Sequence, residues 1–480
     1  MTEALLRAPR RTFASLRKHR NYRLFFSGQV VSVSGTWMQN IATAWLVLHL
    51  TGSPIAVGVL ALCQFLPFTL FSFFAGVALD RVDARRAVVA TQAVSMLLAA
   101  SLAALTFADV ITAWQVFLIA SLRGVALVLD APARQALTFR MVGPRELPNA
   151  IALNSSLFNA ARVVGPALGG IVVAAVGVGF CFALNAASFL AVLAGLLAMR
   201  ESELFPVERE DSPPPLLEGT RDAFSYVRRA PAAAIVLATV LAVSLFSFNF
   251  NVLLPVLAKQ TLAGGAEVFG MISAFFGAGA LAGALLSASL GRASNAVFLA
   301  GTGGFGLAEL LLAPQTSVAS AAALLFATGL CFTLWTSNAN SMLQLGAPDR
   351  LRGRVLGLYY FVFNGSMPAG GILAGWLSAS GGTELAFTVA GGAALTATAG
   401  AVALVRRARI EPALPACFRE RAGSRAEPRR TARLPTPAVP APRAASGRDR
   451  SGARSLPRHT RAPTHAAPPG SDEPRSAATR

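Results

Sequence analysis

The sequence predicts an all-α membrane protein, with twelve transmembrane helices in two six-helix pseudo-symmetric halves. Three observations carry that reading. Of 480 residues, 54% are hydrophobic and only 14% charged, and the mean hydropathy of +0.55 lies above that of soluble domains. Apolar runs of about 20 residues, long enough to cross a bilayer core as helices, recur from Tyr22 to Leu404. Basic residues gather on one side of the bundle and leave the other nearly bare.

In chain order the spans are expected at 22–50, 54–79, 86–107, 112–133, 149–176 and 178–199, then at 232–258, 267–290, 295–313, 316–339, 354–379 and 384–405. The runs are continuously apolar, without the in-out alternation of a barrel strand. Backbone groups in lipid must be satisfied within each segment, so helices follow.

Arginines and lysines concentrate in the N-terminus (Arg7, Arg10, Arg11, Arg17, Lys18, Arg20), in 80–86, 134–145, 200–229, 292 and 350–354, and in the tail. The opposite connections carry Lys259 alone. The positive-inside rule then puts both termini in the cytoplasm of a multi-pass inner (plasma) membrane protein, which requires an even number of spans. Residues 1–20 are basic but have no apolar region ending at a small-residue cleavage site, so the first helix is expected to remain as an anchor.

The domain organisation follows: a cytoplasmic N-terminus (1–21), an N-terminal half (22–199), a cytoplasmic linker (200–231), a C-terminal half (232–405) and a tail (406–480). The linker, Arg200 followed by "ESELFPVEREDSPPPLLEGTRDAFSYVRRAP" (201–231), is charged and Pro-rich. The tail is rich in Arg, Pro, Ala and Ser, cannot bury a core and is expected to be disordered. Weak self-similarity links the halves. Pro144 and Leu147 align with Pro348 and Leu351 at a shift of about 204, and Pro166 with Pro368 at about 202. Duplicated six-helix halves imply a substrate site between them near the midplane.

Several function classes recede on composition. The net charge of +19 sits mostly in the cytoplasmic connections and the tail, where topology accounts for it without nucleic acid. No phosphate-binding G-x-x-x-x-G-K-[ST] loop is present, and Lys18 and Lys259 are the only lysines, which argues against ATP-driven pumping. Histidines 19, 49, 459 and 465 and cysteines 63, 181, 331 and 417 have neither metal-ligand nor disulfide spacing, and no nucleophile, base and orienting acid come together. Neither a cofactor, a metal nor an enzyme activity is expected, and a monomer is.

Polar residues inside the spans are the candidate site. Arg123 and Arg162 lie near the middle of spans four and five, where a charge must face protein or water. Their bland reading is the satisfaction of backbone carbonyls between packed helices. Asp130 follows Arg123 by about two turns, and Arg134 follows Asp130 at i+4. Span one carries Gln29, Trp37, Gln39 and Asn40; span seven carries Asn249 and Asn251 between phenylalanines; span ten carries Trp335 and Asn338. Amides interleaved with rings suit a bulky amphipathic ligand, although part of the set must be packing glue between helices.

"GVALDRVDARR" (76–86) is similar to the G-x-x-x-D-R-x-x-x-R-R loop between helices two and three of the major facilitator superfamily, matched by Gly76, Asp80, Arg81, Arg85 and Arg86. "ARVVGPALGG" (161–170), with Arg162, Gly165, Pro166, Gly169 and Gly170, resembles the G-P-x-x-G-G motif of its exporters. "NYRLFFSGQVVSVSGTWMQNIATAWLVLHLTGSP" (21–54), "DAPARQAL" (130–137) and "LRGRVLGLYY" (351–360) resemble the branch of enterobactin and drug exporters, the transmembrane secretion effectors. Ala84 departs from the pattern, since relatives often carry another arginine there.

The resemblance covers residues 20 to 405 and implies the major facilitator fold. It further implies that the loop is a cytoplasmic latch, with Asp80 near the start of helix eleven and Arg81 or Arg85 paired with Asp130, holding the halves together while the cavity faces outward. The function it implies is proton-coupled export of a small amphipathic molecule, such as a siderophore, antibiotic or drug, with Asp130 acting alongside Arg123. An importer or lysophospholipid flippase of the same fold, and a non-transporting membrane receptor or scaffold, remain alternatives.

Overall fold

A computed structural model describes residues 13–80, 82–206, 216–290, 293–348 and 351–407, without the side chains of 72–80, 216–221 and 223. Arg81 and the tail from residue 408 lie outside the described residues, as do the side chains of Gly76 and Asp80. The described residues are overwhelmingly helical, with no strand among them.

A one-turn helix, α1 (Ala14–Lys18), leads into α2 (Arg20–Thr51), which ends where Gly52 turns left-handed at φ 65° and its N–H closes on the Leu48 carbonyl. Helix α3 (Pro54–Asp80) is followed by α4 (Ala84–Phe107), capped by Asp83, whose carboxylate accepts from the Arg85 and Arg86 backbone N–H groups at 3.0 and 3.1 Å. Helix α5 (Ala113–Val176) bends at Gly143 (φ 68°), and α6 (Val178–Leu197) follows a second glycine, Gly177.

After a turn at Glu201–Glu203 and an amphipathic helix, α7 (Leu216–Arg229), come α8 (Pro231–Phe246) and α9 (Phe250–Val256), then α10 (Ala266–Leu290), α11 (Asn295–Leu312), α12 (Val318–Gly346), α13 (Arg352–Gly365) and α14 (Met367–Arg407). Pro368, lacking an N–H at the start of α14, separates it from α13. Gly382 (φ 68°) then bends α14 in two.

Nine helical stretches among the described residues are long and apolar enough to cross a membrane. Two of them, the 64-residue Ala113–Val176 and the 56-residue Arg352–Arg407, bend at Gly143 and at Gly381–Gly382. The polar-studded α2 is not among the nine. The arrangement is consistent with twelve crossings.

Span four runs further than expected. Residues 134–142 continue the helix instead of forming a connection, because Ala133, Leu137 and Met141, spaced by four, bury one face in a cluster with Tyr22, Phe25 and Val88. Span seven is shorter as a continuous helix: "FSFNFN" breaks it between α8 and α9.

Two groups of helices result. In the first, α2 packs on α5 and α6, and α3 and α4 pack on α5; in the second, α12 packs on α10 and α11, and α14 on α8 and α11. The groups meet along α5 with α10 and α3 with α14. Small residues permit these approaches: a Cβ on Gly170 would stand 2.5 Å from the Gly270 Cα, and one on Gly58 would stand 2.6 Å from the Gly371 carbonyl oxygen. Both crossings lie toward the end opposite the 82–86 turn.

Candidate functional site

At the end that carries the 82–86 turn, acids and arginines are tied together within the first group and its neighbours. Asp83 takes Arg140, Lys18 pairs with Glu146, and the Arg85 guanidinium reaches Glu201 at 2.6 Å and the Leu196 carbonyl at 3.0 Å. Burial on its own would raise the Asp83 carboxyl, but the Arg140 hydrogen bond, the Arg86 and Arg85 backbone N–H groups and the Arg140 charge together hold it below the ordinary carboxylate range. Arg86 is exposed. Ala84, the position without the extra arginine, is buried in the cluster of Tyr22, Val88 and Leu137.

Arg85 is engaged by Glu201 and the end of α6 rather than by Asp130 in this arrangement, and Arg81, the other arginine expected to pair with Asp130, lies outside the described residues. Asp130 is buried and satisfied inside the first group. One carboxylate oxygen accepts from Thr91 Oγ1 at 2.7 Å and Gln92 Nε2 at 2.9 Å, and the other from Arg134, one turn along α5. Arg134 also donates to Gln29 of α2. The i+4 spacing read from the sequence forms the pair, while Arg123 engages a different residue.

Deeper in the bundle, Arg123 Nη1 donates to Asn40 Oδ1 at 2.9 Å. One helical turn away on α2 stands Trp37, whose ring centroid is 5.3 Å from the Arg162 guanidinium carbon. The same guanidinium lies 4.9 Å from the Phe332 ring of α12, so it is sandwiched between aromatic rings from the two groups. Gly165 makes room for this, since a Cβ there would collide with Trp37. Arg123, Arg162, Trp37 and Asn40 are all half-buried.

Phe332 belongs to an aromatic wall built by the break in span seven. Outside helical geometry, Phe248 stacks on Phe332 at 4.3 Å and 12°, and Phe250, the first residue of α9, stacks on Phe276 at 4.8 Å and 22°. Trp335 is fully buried behind them, edge-on to Phe332 at 6.0 Å.

The other residues singled out by sequence divide between wall and frame. Gln39 accepts from Asn185 Nδ2 at 2.5 Å and fastens α2 to α6. Asn338 accepts from the Ser294 N–H at 3.2 Å at the start of α11, and Asn249 donates to the Leu245 carbonyl at 3.0 Å. These amides join helices or close turns within a group. Asn251 is exposed. Gly165 and Gly169 face α2, while Gly170 and Pro166 face Gly270 of α10. Phe332 cannot be singled out from the sequence, because nothing in a run of apolar residues marks which ring faces an arginine of another helix.

A family model described as transmembrane secretion effector matches residues 10–417. The staphyloferrin A transporter of Staphylococcus aureus is 27% identical over 251 residues, 52% of this chain and 62% of that protein, so this match spans less than two thirds of the relative. The multidrug efflux pump Tap of Mycolicibacterium fortuitum is 25% identical over 74% of this chain and 88% of its own length, and the macrolide efflux protein A of Streptococcus pyogenes 21% identical over 75% and 90%. Among solved structures, a POT family transporter in complex with 5-aminolevulinic acid superposes with TM-score 0.66 at 12% identity, covering 81% of this chain and 96% of its own. A bacterial homologue of the iron transporter ferroportin in an inward-facing state gives 0.61 at 15%, covering 80% and 98%.

Proposed function

The chain belongs to the transmembrane secretion effector family of the major facilitator superfamily, and from that premise we propose that it is a proton-coupled exporter of a small amphipathic molecule. It would work by alternating access in the inner membrane, as a monomer with both termini cytoplasmic and the halves 22–199 and 232–405 rocking about the site between them. The observation that carries the reading is Arg162 held between Trp37 of one group and Phe332 of the other. A substrate entering there touches both groups, so its binding energy differs between the two arrangements of the halves, which is what a carrier requires.

With the basic end in the cytoplasm, the tight crossings of Gly170 with Gly270 and Gly58 with Gly371 lie toward the outer end and would keep it closed. The ion pairs of Asp83 and Arg85 described above stay within the first group and its following turn. They are available to be rearranged when the cytoplasmic end closes, and Gly76, Asp80, Arg81, Arg85 and Arg86 then form the latch with α13. Asp130, held by Arg134, Thr91 and Gln92, is the proton-coupling carboxylate of this scheme, and Gln29 links it to α2.

Proton movement in everted vesicles tests the proposal, with siderophores, macrolides and dyes added in turn to wild type and Asp130→Asn. Substrate-dependent proton release from the lumen that Asp130→Asn abolishes is the expected result. Substrate movement without proton movement would replace the antiporter by a uniporter or flippase.

A further inference from the structure

The charges of the bundle are distributed unevenly with depth. At the basic end, Lys18, Arg85, Arg134, Arg140, Arg200 and Arg354 each have a carboxylate partner. Deeper in the bundle and toward the opposite end, none of the described cations does. Arg123 has the Asn40 amide, Arg162 the Trp37 and Phe332 rings, and Lys259 the Leu48 carbonyl at 3.3 Å and the Trp45 ring at 5.9 Å.

The three cations share a helix as neighbour. Trp37, Asn40, Trp45 and Leu48 are all on α2, spanning about 16 Å at 1.5 Å per residue. The acids that could balance them are occupied or remote: Asp130 is bound by Arg134, Thr91 and Gln92, and Glu309 is fully buried within the second group. Glu267 folds back on the Gly265 N–H, accepting at 3.0 Å, and Asp109 and Glu384 are exposed.

Uncompensated positive charge at this depth is unfavourable, and rings or neutral amides recover only part of the lost hydration. An anion would recover the rest through charge-assisted hydrogen bonds, with guanidinium planes suited to a carboxylate or a catecholate. Phe248, Phe332 and Trp335 form a buried ring cluster beside Arg162, and Phe363, in ring contact with all three, carries the partly exposed edge that would take a flat apolar body.

We propose that the transported molecule is an amphipathic anion, its carboxylate or catecholate between Arg123 and Arg162 and its apolar part against the Phe332 wall, with Lys259 the next cationic station toward the opposite end. This rests on the transporter reading above and narrows its substrate class. A cationic drug, a common cargo for a multidrug carrier, is disfavoured by the same charges.

Three probes that share a naphthalene ring test it on the purified full chain in lipid nanodiscs: 2-naphthoate, its near-isostere the neutral 2-naphthamide, and cationic 2-naphthyltrimethylammonium, with binding read by equilibrium dialysis. Naphthoate is expected to bind at least about tenfold more tightly than the amide, the order of one hydrogen bond to a charged group. Arg123→Gln and Arg162→Gln are expected to erase that preference, and Arg162→Lys to keep most of it. Equal binding of the three, a preference for the cation, or no naphthoate binding at millimolar concentration would overturn the proposal, and the wild-type series alone decides this if a variant fails to fold. Vesicle transport separates the two readings. A neutral or cationic compound moved without naphthoate binding removes the anion class and leaves the transporter. Naphthoate bound with no compound moved does the reverse.

Discussion

Gly170 and Gly270 meet backbone to backbone across the two helix groups, so that a Cβ on either would stand 2.5 Å from the other's Cα. Neither partner can yield by turning a side chain, since the obstacle is main chain on both sides. Gly170→Leu is therefore expected to force α5 and α10 apart at this end while each group keeps its own core. Spin labels at His49→Cys and Gln260→Cys in a cysteine-free background should report a longer distance, and transport should fall at least about tenfold as the closed outer end loses population. An unchanged distance with normal transport would show that this crossing does not seal the end.

Asp83 combines a helix cap with the Arg140 ion pair, and the two can be separated. Asp83→Ala loses both and should cost about 1 kcal/mol of stability, the usual value of an N-cap. Asp83→Asn keeps the cap and should cost less. Because the folded carboxyl is held below its ordinary value of 3.8, its contribution is fully present above about pH 4 and is lost as the pH falls through the folded value. Melting temperatures of wild type and Asp83→Asn should accordingly converge on acidification below about pH 4.

Most of the architecture could be read from composition, because a membrane helix announces itself by a continuous apolar run and its orientation by arginine. Boundaries at the aqueous ends could not be placed this way. Residues 134–142 carry arginines and a threonine and so resemble a connection, yet the buried spacing of Ala133, Leu137 and Met141 carries the helix on to Gly143. Within the site, Arg123 and Arg162 stood out because charge in an apolar run is conspicuous. Their partners did not, since pairing depends on which helices are neighbours: Arg85 selected Glu201 and left Asp130 to Arg134. Gln39 and Asn338, equal to Asn40 in sequence terms, turned out to fasten helices within a group.

Phe332 separates packing from charge recognition. Phe332→Leu keeps an apolar side chain but is smaller than the ring it replaces, and is expected to cost about 1–2 kcal/mol of stability. It removes one ring from Arg162 and the stacking partner of Phe248. Substrate affinity should then fall about five- to thirtyfold, as expected for a desolvated cation–π contact of about 1–2 kcal/mol, with only a modest drop in melting temperature. A large drop in melting temperature with unchanged affinity would assign the ring to the core alone.

Glu309 presents the opposite situation to Asp130. It lies in α11 with no exposed surface, and the polar side chain beside its carboxyl is Ser247, whose hydroxyl donates to the Ala390 carbonyl at 2.6 Å. An acid in such a place contributes volume to the packing of the second group but no ion pair that its removal would break. Glu309→Gln, nearly isosteric, is therefore expected to change stability by no more than about 1 kcal/mol, in contrast to the roughly 3–5 kcal/mol typical of removing one member of a buried pair. Glu309→Ala should cost about 2–4 kcal/mol through the cavity it leaves where Gly306 and Gly391 bring α11 and α14 close together. Transport by the Gln variant then distinguishes two roles. Retained proton coupling assigns Glu309 to packing, whereas a stable protein that moves substrate without protons would make it a second proton-carrying carboxyl, across the helix groups from Asp130.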